Sequence, residues 1–342
     1  AAGLGCATAG RTPVGPVFPP GLAAGDTIAF VAPAGKLDRN RVELAKRRLE
    51  AMGFEVRVPE DLYRSRGYLA GQDEVRAAEL MAAFRDPQVK AIFPGTGGYG
   101  TTRILDRLDY DLIRRNPKIF IGFSDITGLH LALQSKTGLV TFHSPNPMYG
   151  LGSKGNLRDF SAKYFWRALL LRENVGPDGR NLPRGYSYLI PAEAPQIEVI
   201  TPGVGRGRLT GGNLSLIVAL MGTEYEIQTA GRVLFLEDVG ERPYRIDRYL
   251  SQMRLAGKLD ELAGAILGQF TDCKSKEGKD SLSLEQVFQD YFADLGVPVI
   301  ANFPAGHSRD NATLPLGVMV EVDANRGRVT VLENPVRTPG AP

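Results

Sequence analysis

Lys118–Leu133 reads KIFIGFSDITGLHLAL. An apolar run stops at Gly122, a Ser-Asp pair follows at once, and Ile126, Leu129, His130 and Leu133 then recur at helical spacing. The pattern is that of a buried strand turning sharply into a helix, with Ser124 at the corner. Two roles fit a small hydroxyl there. It can accept a hydrogen bond from the first turn as an N-cap, or it can be a nucleophile raised on a tight turn above a helix N-terminus. Gly122-Phe123-Ser124-Asp125-Ile126 matches only the first half of a G-x-S-x-G elbow, because Ile126 replaces the second glycine. The local sequence leaves both roles open.

Upstream, the same alternation repeats. GDTIAFVAPAG holds a short strand from Thr27 to Ala32, and DRNRVELAKRRLEAMGF a helix with Val42, Ala45, Leu49 and Met52 on one stripe and Gly53 as its C-terminal stop. EVRVPE, VKAIFPG and PKIFIGF read as further strands, DEVRAAELMAAFRD as an amphipathic helix, and GTGGYGTTRILDRL as a glycine turn running into another helix. Short apolar strands alternating with helices imply a parallel sheet covered on its faces. Reactive loops collect at the carboxyl ends of such strands, so PGTGGYG and GFSDIT are expected to lie near each other.

Downstream, residues 151–203 are loop-rich, with one helix expected around Phe160 to Leu171, and read as a bridge between domains. GRGRLTGGNLSLIVALMG then gives a strand, a glycine turn and an apolar helix, and GRVLFLEDVGE a strand ending on acidic residues. RPYRIDRYLSQMRLAGKL is a helix with Pro243 near its start and Gly257 at its end, LAGAILGQF another strand, and VMVEVDANRGRVTVLE a hairpin of period two. The expected organisation is a leader remnant or disordered tail over 1–21, an α/β domain over 22–150, the bridge over 151–203 and a second domain over 204–335.

Composition narrows the function classes. A 342-residue chain with 43% hydrophobic and 23% charged residues is that of a globular protein of about two domains. A net charge of +3, with basic residues spread along the chain, argues against nucleic acid as the main partner. Cys6 and Cys273 stand far apart without ligand spacing, which supports neither a disulfide framework nor a metal site. No apolar run is long enough to span a membrane. AGLGC, around Cys6, has some likeness to a lipid-attachment site, and the segment leaves export to the envelope open.

Among the three histidines, His307 lies in PAGHSRDNATLPLG, a turn-rich segment with no face on which to bury a ring. An imidazole with a pKa near neutrality suits a general base. His130 falls on the apolar side of its helix, as a packed, hydrogen-bonded residue would, and His143 ends a strand with no clear role. Glu237 and Asp238 close the strand RVLFLED; either, or Glu241, could orient a histidine, and spacing does not choose between them. Gly95, Gly97 and Gly100 of GTGGYG fit G-x-G-x-x-G, yet LIRRNPK, about twenty residues on, lacks the acid of a dinucleotide fingerprint. The loop can instead cradle a phosphate, expose backbone N–H groups to a developing oxyanion, or serve close packing alone.

Taken together, GDTIAFVAPAG, GGYG, GFSDIT, GGNL with LFLEDVGERPYRIDR, and GHSRDNATLPLG resemble the LD-carboxypeptidase family, the S66 serine peptidases that trim bacterial cell-wall peptides. These segments extend from about Gly25 to Gly317. The resemblance implies an N-terminal parallel-sheet domain, flavodoxin- or glutamine-amidotransferase-like, and a second α/β domain with a barrel-like sheet. It implies Ser124 as nucleophile, His307 as base and Glu237 as the carboxylate that orients it, with the site assembled across the domain cleft. The backbone N–H groups of Gly98 and Asp125 are the expected oxyanion hole, and Asn213, Arg242 and Arg309 the candidates for gripping substrate. No metal or cofactor is implied. The expected substrate is a murein peptide losing its terminal D-alanine, and the expected protein a cytoplasmic homodimer. Gly95-Thr96 departs from the more polar, often Arg-containing approach to the glycines in many relatives, which bears on substrate contacts. Other members of the family cleave peptide–nucleotide antibiotics, and a non-catalytic nucleotide-binding α/β protein is the rival from a different class.

Overall fold

The computed structural model describes residues 15–171, 185–276 and 280–338. Its first half runs β1 (Thr27–Val31), α1 (Arg39–Ala51), β2 (Glu55–Arg57), α2 (Asp73–Arg85) and β3 (Val89–Pro94). There follow α3 (Tyr110–Arg115), β4 (Ile119–Gly122), α4 (Thr127–Thr137) and β5 (Thr141–His143). The five strands pair in parallel in the order β5-β4-β3-β1-β2. Burial on both faces explains the apolar runs of β1 and β4, whereas the edge strand β2, Glu55-Val56-Arg57, stays partly exposed. In β1, Ile28 and Phe30 face the α1 side with Leu49, whereas Ala29 and Val31 face the α2 side with Leu80 and Phe84. Helix α1 starts where Asp38 accepts from Arg41 N at 2.9 Å, and Gly53 turns the chain away with φ +89°.

The second half contains α5 (Asp159–Leu169), β6 (Tyr186–Ser187), β7 (Glu198–Thr201) and β8 (Val204–Asn213). Next come α6 (Leu214–Ala219), β9 (Arg232–Val239), α7 (Pro243–Leu255), β10 (Gly264–Thr271), α8 (Leu284–Phe292) and β11 (Val299–Ala301). The chain closes with β12 (Leu314–Leu316), β13 (Met319–Asp323) and β14 (Arg328–Val331). Eight of these strands form one sheet, β6-β14-β13-β8-β9-β10-β11-β7, with a parallel centre from β8 to β11 and antiparallel flanks. The expected hairpin is the β13–β14 pair. The expected barrel-like sheet stays open: its edges, β6 of two residues and β7 of four, do not pair with each other.

β12 leaves this sheet and adds to the first, antiparallel to β5, with Leu314 opposite His143 and Leu316 opposite Thr141. The segment between β11 and β12, which carries His307, is therefore strung from one sheet to the other. Apolar packing is continuous across them too, joining Phe30, Phe93 and Phe142 to Leu209, Phe235 and Val320.

GTGGYGTTRILDRL does not form the expected helix. Gly100 turns with φ +135°, Thr101–Arg103 and Leu105–Arg107 are single 3₁₀ turns, and helix resumes only where Asp109 caps α3 through Leu112 N at 2.9 Å. The physical reason is tertiary: Arg76 Nη1 takes the Gly100 carbonyl at 2.9 Å, so Ile104 N turns to Thr101 O, while Thr101 is held to Asp125 through its N and Oγ1. In the N-terminal segment, residues 1–14, Cys6 among them, lie outside the described residues. Val17 N donates to Gly138 O at 2.8 Å and Gly21 N to Arg337 O at 3.1 Å, so residues 17–21 are bonded into the fold rather than free of it. Among the described residues no helix is long and apolar enough to cross a membrane.

Candidate active site

Ser124 follows β4 and Phe123 with φ +64°, in the left-handed region that a non-glycine residue enters at about 1–2 kcal/mol. No side chain caps the turn Ser124–Ile126 or helix α4, so the N-cap role is ruled out. What holds the strained corner is its surroundings. The Gly122 carbonyl accepts from His130 Nε2 at 2.9 Å and from Ser144 N at 3.0 Å, and Ile126 N donates to Phe123 O at 3.3 Å. His130 is thus the packed, hydrogen-bonded histidine expected, and burial pushes its pKa down to about 4.

The glycine loop after β3 packs onto this corner, as its strand-end position implied. Gly97 lies so close that a Cβ there would sit 2.9 Å from Ser124 Cβ and 3.1 Å from Asp125 N. Gly98 turns with φ +94°, against Gly35. The Asp125 side chain is buried and accepts from Thr101 N at 2.9 Å.

The second sheet meets the corner through β8. Asn213 N donates to Thr127 Oγ1 at 3.0 Å, and a Cβ at Gly212 would lie 2.6 Å from that oxygen. Asn213 pairs in register with Glu237 at the end of the adjacent strand β9, so the carboxyl ends of β4 and β9 converge. Glu237 is fully buried, and its Oε2 lies 2.6 Å from His307 Nδ1. With a carboxylate as acceptor, Nδ1 carries the proton and Nε2 is free to act as a base. The loop reaches the carboxylate because residue 306 is glycine: at φ +115°, a Cβ there would stand 2.7 Å from Glu237 Oε2. Thr271 Oγ1 donates to His307 O at 2.7 Å and Gly306 N to Asn311 Oδ1 at 3.0 Å, fixing the loop on both sides.

Burial draws the His307 pKa down, but the hydrogen bond and charge of Glu237 outweigh it and leave the pKa raised above the ordinary 6.5. The imidazole packs on the Phe123 ring at 4.9 Å between centroids, and Phe123 is the residue before Ser124 in the chain. No hydrogen bond joins hydroxyl and imidazole here, a link that often tightens only when substrate binds. Of the other carboxylates, Asp238 accepts from Asn213 Nδ2 at 3.0 Å and Ser215 N at 2.9 Å, and burial with the neighbouring Glu237 raises it to about 6. Glu241 pairs with Arg245 at 3.1 Å. Only Glu237 of the three bonds His307.

A cavity of about 540 Å³ opens over His307, lined by Phe123, Tyr149, Arg158, Ser161, Arg309 and Asn311 among others. Of the three expected substrate grips, Arg309 lies on this cavity. Asn213 does not: its side-chain oxygen caps α6 through Leu216 N at 3.2 Å and its amide is held by Asp238. Arg242, the residue before α7, lines a separate cleft with Tyr244 and Asp247. Tyr149 and Arg158 are cavity residues that periodicity did not single out, since both lie in the loop-rich stretch before α5. His143 is fully buried between Phe123 and Phe235, and burial holds it well below 6.5. Among the described residues no cluster of three metal-ligating side chains occurs.

A carboxylate-held imidazole, packed on the residue before a strand-to-helix corner in a two-sheet α/β fold, is compatible with hydrolase chemistry. The chain belongs to the LD-carboxypeptidase family: the model of the family's N-terminal domain matches residues 28–144 and that of its C-terminal domain residues 206–322. A probable murein peptide carboxypeptidase of Bacillus subtilis (strain 168) is 39% identical over 299 residues, covering 87% of this chain and 89% of the relative. Among solved structures, MccF in complex with glutamyl sulfamoyl guanosine superposes with a TM-score of 0.84 at 26% identity, covering 94% of this chain and all of that one (100%). A muramoyltetrapeptide carboxypeptidase from Oxalobacter formigenes superposes with a TM-score of 0.76 at 27% identity, covering 89% and 97%.

Proposed function

We propose that this protein is a serine LD-carboxypeptidase that releases the terminal D-alanine from murein tetrapeptides. The observation that carries the proposal is the Glu237–His307 hydrogen bond, with the imidazole packed on Phe123 and the strained Ser124 corner next in the chain. His307 Nε2 takes the Ser124 proton as Oγ attacks the carbonyl that joins an L-centre, usually that of diaminopimelate, to D-alanine. The tetrahedral oxyanion is met by the N–H groups of Gly98 and Asp125, an interaction worth about 3–4 kcal/mol per donor at the barrier. His307 then protonates the departing D-alanine amine, leaving the acyl ester on Ser124. Water, deprotonated by His307, attacks that ester, and the returning proton frees the serine. Arg309, on the cavity, is the grip for the terminal carboxylate. A cytoplasmic homodimer that recycles wall peptides follows from the family resemblance rather than from this geometry.

The test is D-alanine release from a defined tetrapeptide followed by mass spectrometry, with Ser124→Ala alongside. Wild-type-like turnover by the variant ends the proposal. A second substrate class is favoured by the likeness to MccF in complex with glutamyl sulfamoyl guanosine. An aminoacyl-nucleotide assayed beside the muropeptide separates the two, because they differ in both acyl group and leaving group.

A further inference from the structure

Arg76 stands on the buried stripe of α2, in line with Leu80 and Phe84, and is itself fully buried. Its Nη1 donates to two carbonyls on different loops: Pro33 O after β1, and Gly100 O at 2.9 Å, the last glycine of GTGGYG. Its Nη2 donates to Asp73 Oδ1 at 2.6 Å, and Asp73 also takes Arg103 Nη2 at 2.7 Å, from the turn that follows the glycines. The hydrogen bond of Arg103 above all, and that of Arg76, hold the Asp73 carboxyl at about 2 against its burial, so this carboxylate stays charged at neutral pH. Gly100 and the guanidinium fit only together, since a Cβ at that glycine would lie 2.8 Å from Arg76 Nη1. From the inner side, Gly35 N donates to Gly97 O at 2.9 Å, and Thr101 Oγ1 to Asp125 O at 2.7 Å. The glycine loop is thereby tied to the β1 loop, to α2 and to the Ser124 corner at once.

We propose that Arg76, braced by Asp73 and Arg103, is a positioning residue that sets the Gly98 N–H against the Asp125 N–H and so shapes the oxyanion hole. The inference rests on the acyl-transfer function proposed above. A planar fork can bridge two carbonyls and a carboxylate in fixed directions, which a lysine ammonium cannot. Placement of a donor, unlike general stability, acts on the transition state more than on the bound substrate.

The experiment compares wild type, Arg76→Lys and Ser124→Ala on a murein tetrapeptide, with two probes. One is a peptide boronate carrying boron at the scissile carbonyl; the other is the unreactive tripeptide product. For Arg76→Lys, kcat falls by about 10–100-fold with KM nearly unchanged, since losing an oxyanion donor outright costs about 10²–10³ in kcat. Boronate affinity falls by a similar factor, whereas tripeptide affinity and the pH at which activity rises stay as in wild type. An unchanged kcat, or equal loss of affinity for both probes, overturns the inference. If Arg76→Lys does not fold, Arg103→Gln at the partly exposed end of the triad gives the same pattern in smaller measure, and its absence counts equally against the clamp. Full activity of Ser124→Ala instead overturns the serine mechanism itself, whatever Arg76 does.

Discussion

Glu237 Oε2 and His307 Nδ1 lie 2.6 Å apart although 70 positions separate them in the chain. The carboxylate ends a central strand of the second sheet, and the imidazole sits on the loop that crosses from that sheet to the first. The pair exists because β12 is anchored on β5, which stretches the loop over the end of β9. Its geometry has consequences that can be measured.

In the proposed mechanism His307 must be neutral to accept the serine proton. Because its pKa is raised above 6.5, kcat/KM is expected to rise with pH through that raised value. Glu237→Gln removes the charge that raises it, so the acid limb moves to lower pH and kcat drops by about 10²–10⁴. An acid limb that stays in place in the variant contradicts the assignment. Stability has the matching sign: protonated His307 stabilises the fold fully below 6.5, and that contribution fades as pH rises through the raised value. Denaturant titrations of Glu237→Gln should therefore show a larger deficit at about pH 5 than at about pH 9.

The backbone at Ser124 is strained, with φ +64°. Ser124→Ala keeps that strain and loses the hydroxyl, so it is inactive with a melting temperature near that of wild type. Ser124→Gly is equally inactive but about 1 kcal/mol more stable than the alanine variant, since glycine enters the left-handed region freely. Paired thermal melts read the difference, and equal stability would mean the corner is relaxed in solution.

Gly306→Ala places a methyl group 2.7 Å from Glu237 Oε2, too close for the two to coexist unmoved. The loop must retreat, and with φ +115° the substitution is expected to destabilise by about 1–3 kcal/mol. Activity falls further than stability does, because the histidine loses its orienting carboxylate. A folded variant with full kcat would show that the close approach is dispensable.

Arg309 tests recognition apart from chemistry. Arg309→Gln should raise KM for a substrate with a free terminal carboxylate by about 10–100-fold, the worth of a charged hydrogen bond, with kcat little changed. An amidated substrate should bind wild type and variant alike. Equal discrimination by both proteins would move the carboxylate grip elsewhere.

Much of the fold is legible in periodicity. The strands from Thr27, Val89 and Ile119 and the helices with Gly53 and Gly257 as stops follow from apolar spacing and local capping. β12 is not legible: LPL is three residues with a central proline, and only its partner β5 makes it a strand. Helix α8 is legible, with a capping box of Ser283 and Gln286 ahead of a buried stripe of Val287, Phe288 and Phe292. The helix expected after GTGGYG gives way to 3₁₀ turns because Arg76 takes the Gly100 carbonyl that Ile104 N would meet in an α-helix.

By itself, the sequence determined the alternation of strand and helix, the parallel first sheet and the residue types available for acyl transfer, because those depend on contacts within a few positions. Tertiary structure alone decided that Ser124 is a strained corner rather than a cap, that Glu237 and not Asp238 or Glu241 meets His307, and that Arg309 rather than Asn213 or Arg242 faces the cavity. Those outcomes depend on which strand ends converge and on how closely glycines let loops approach, and neither is set by spacing along the chain.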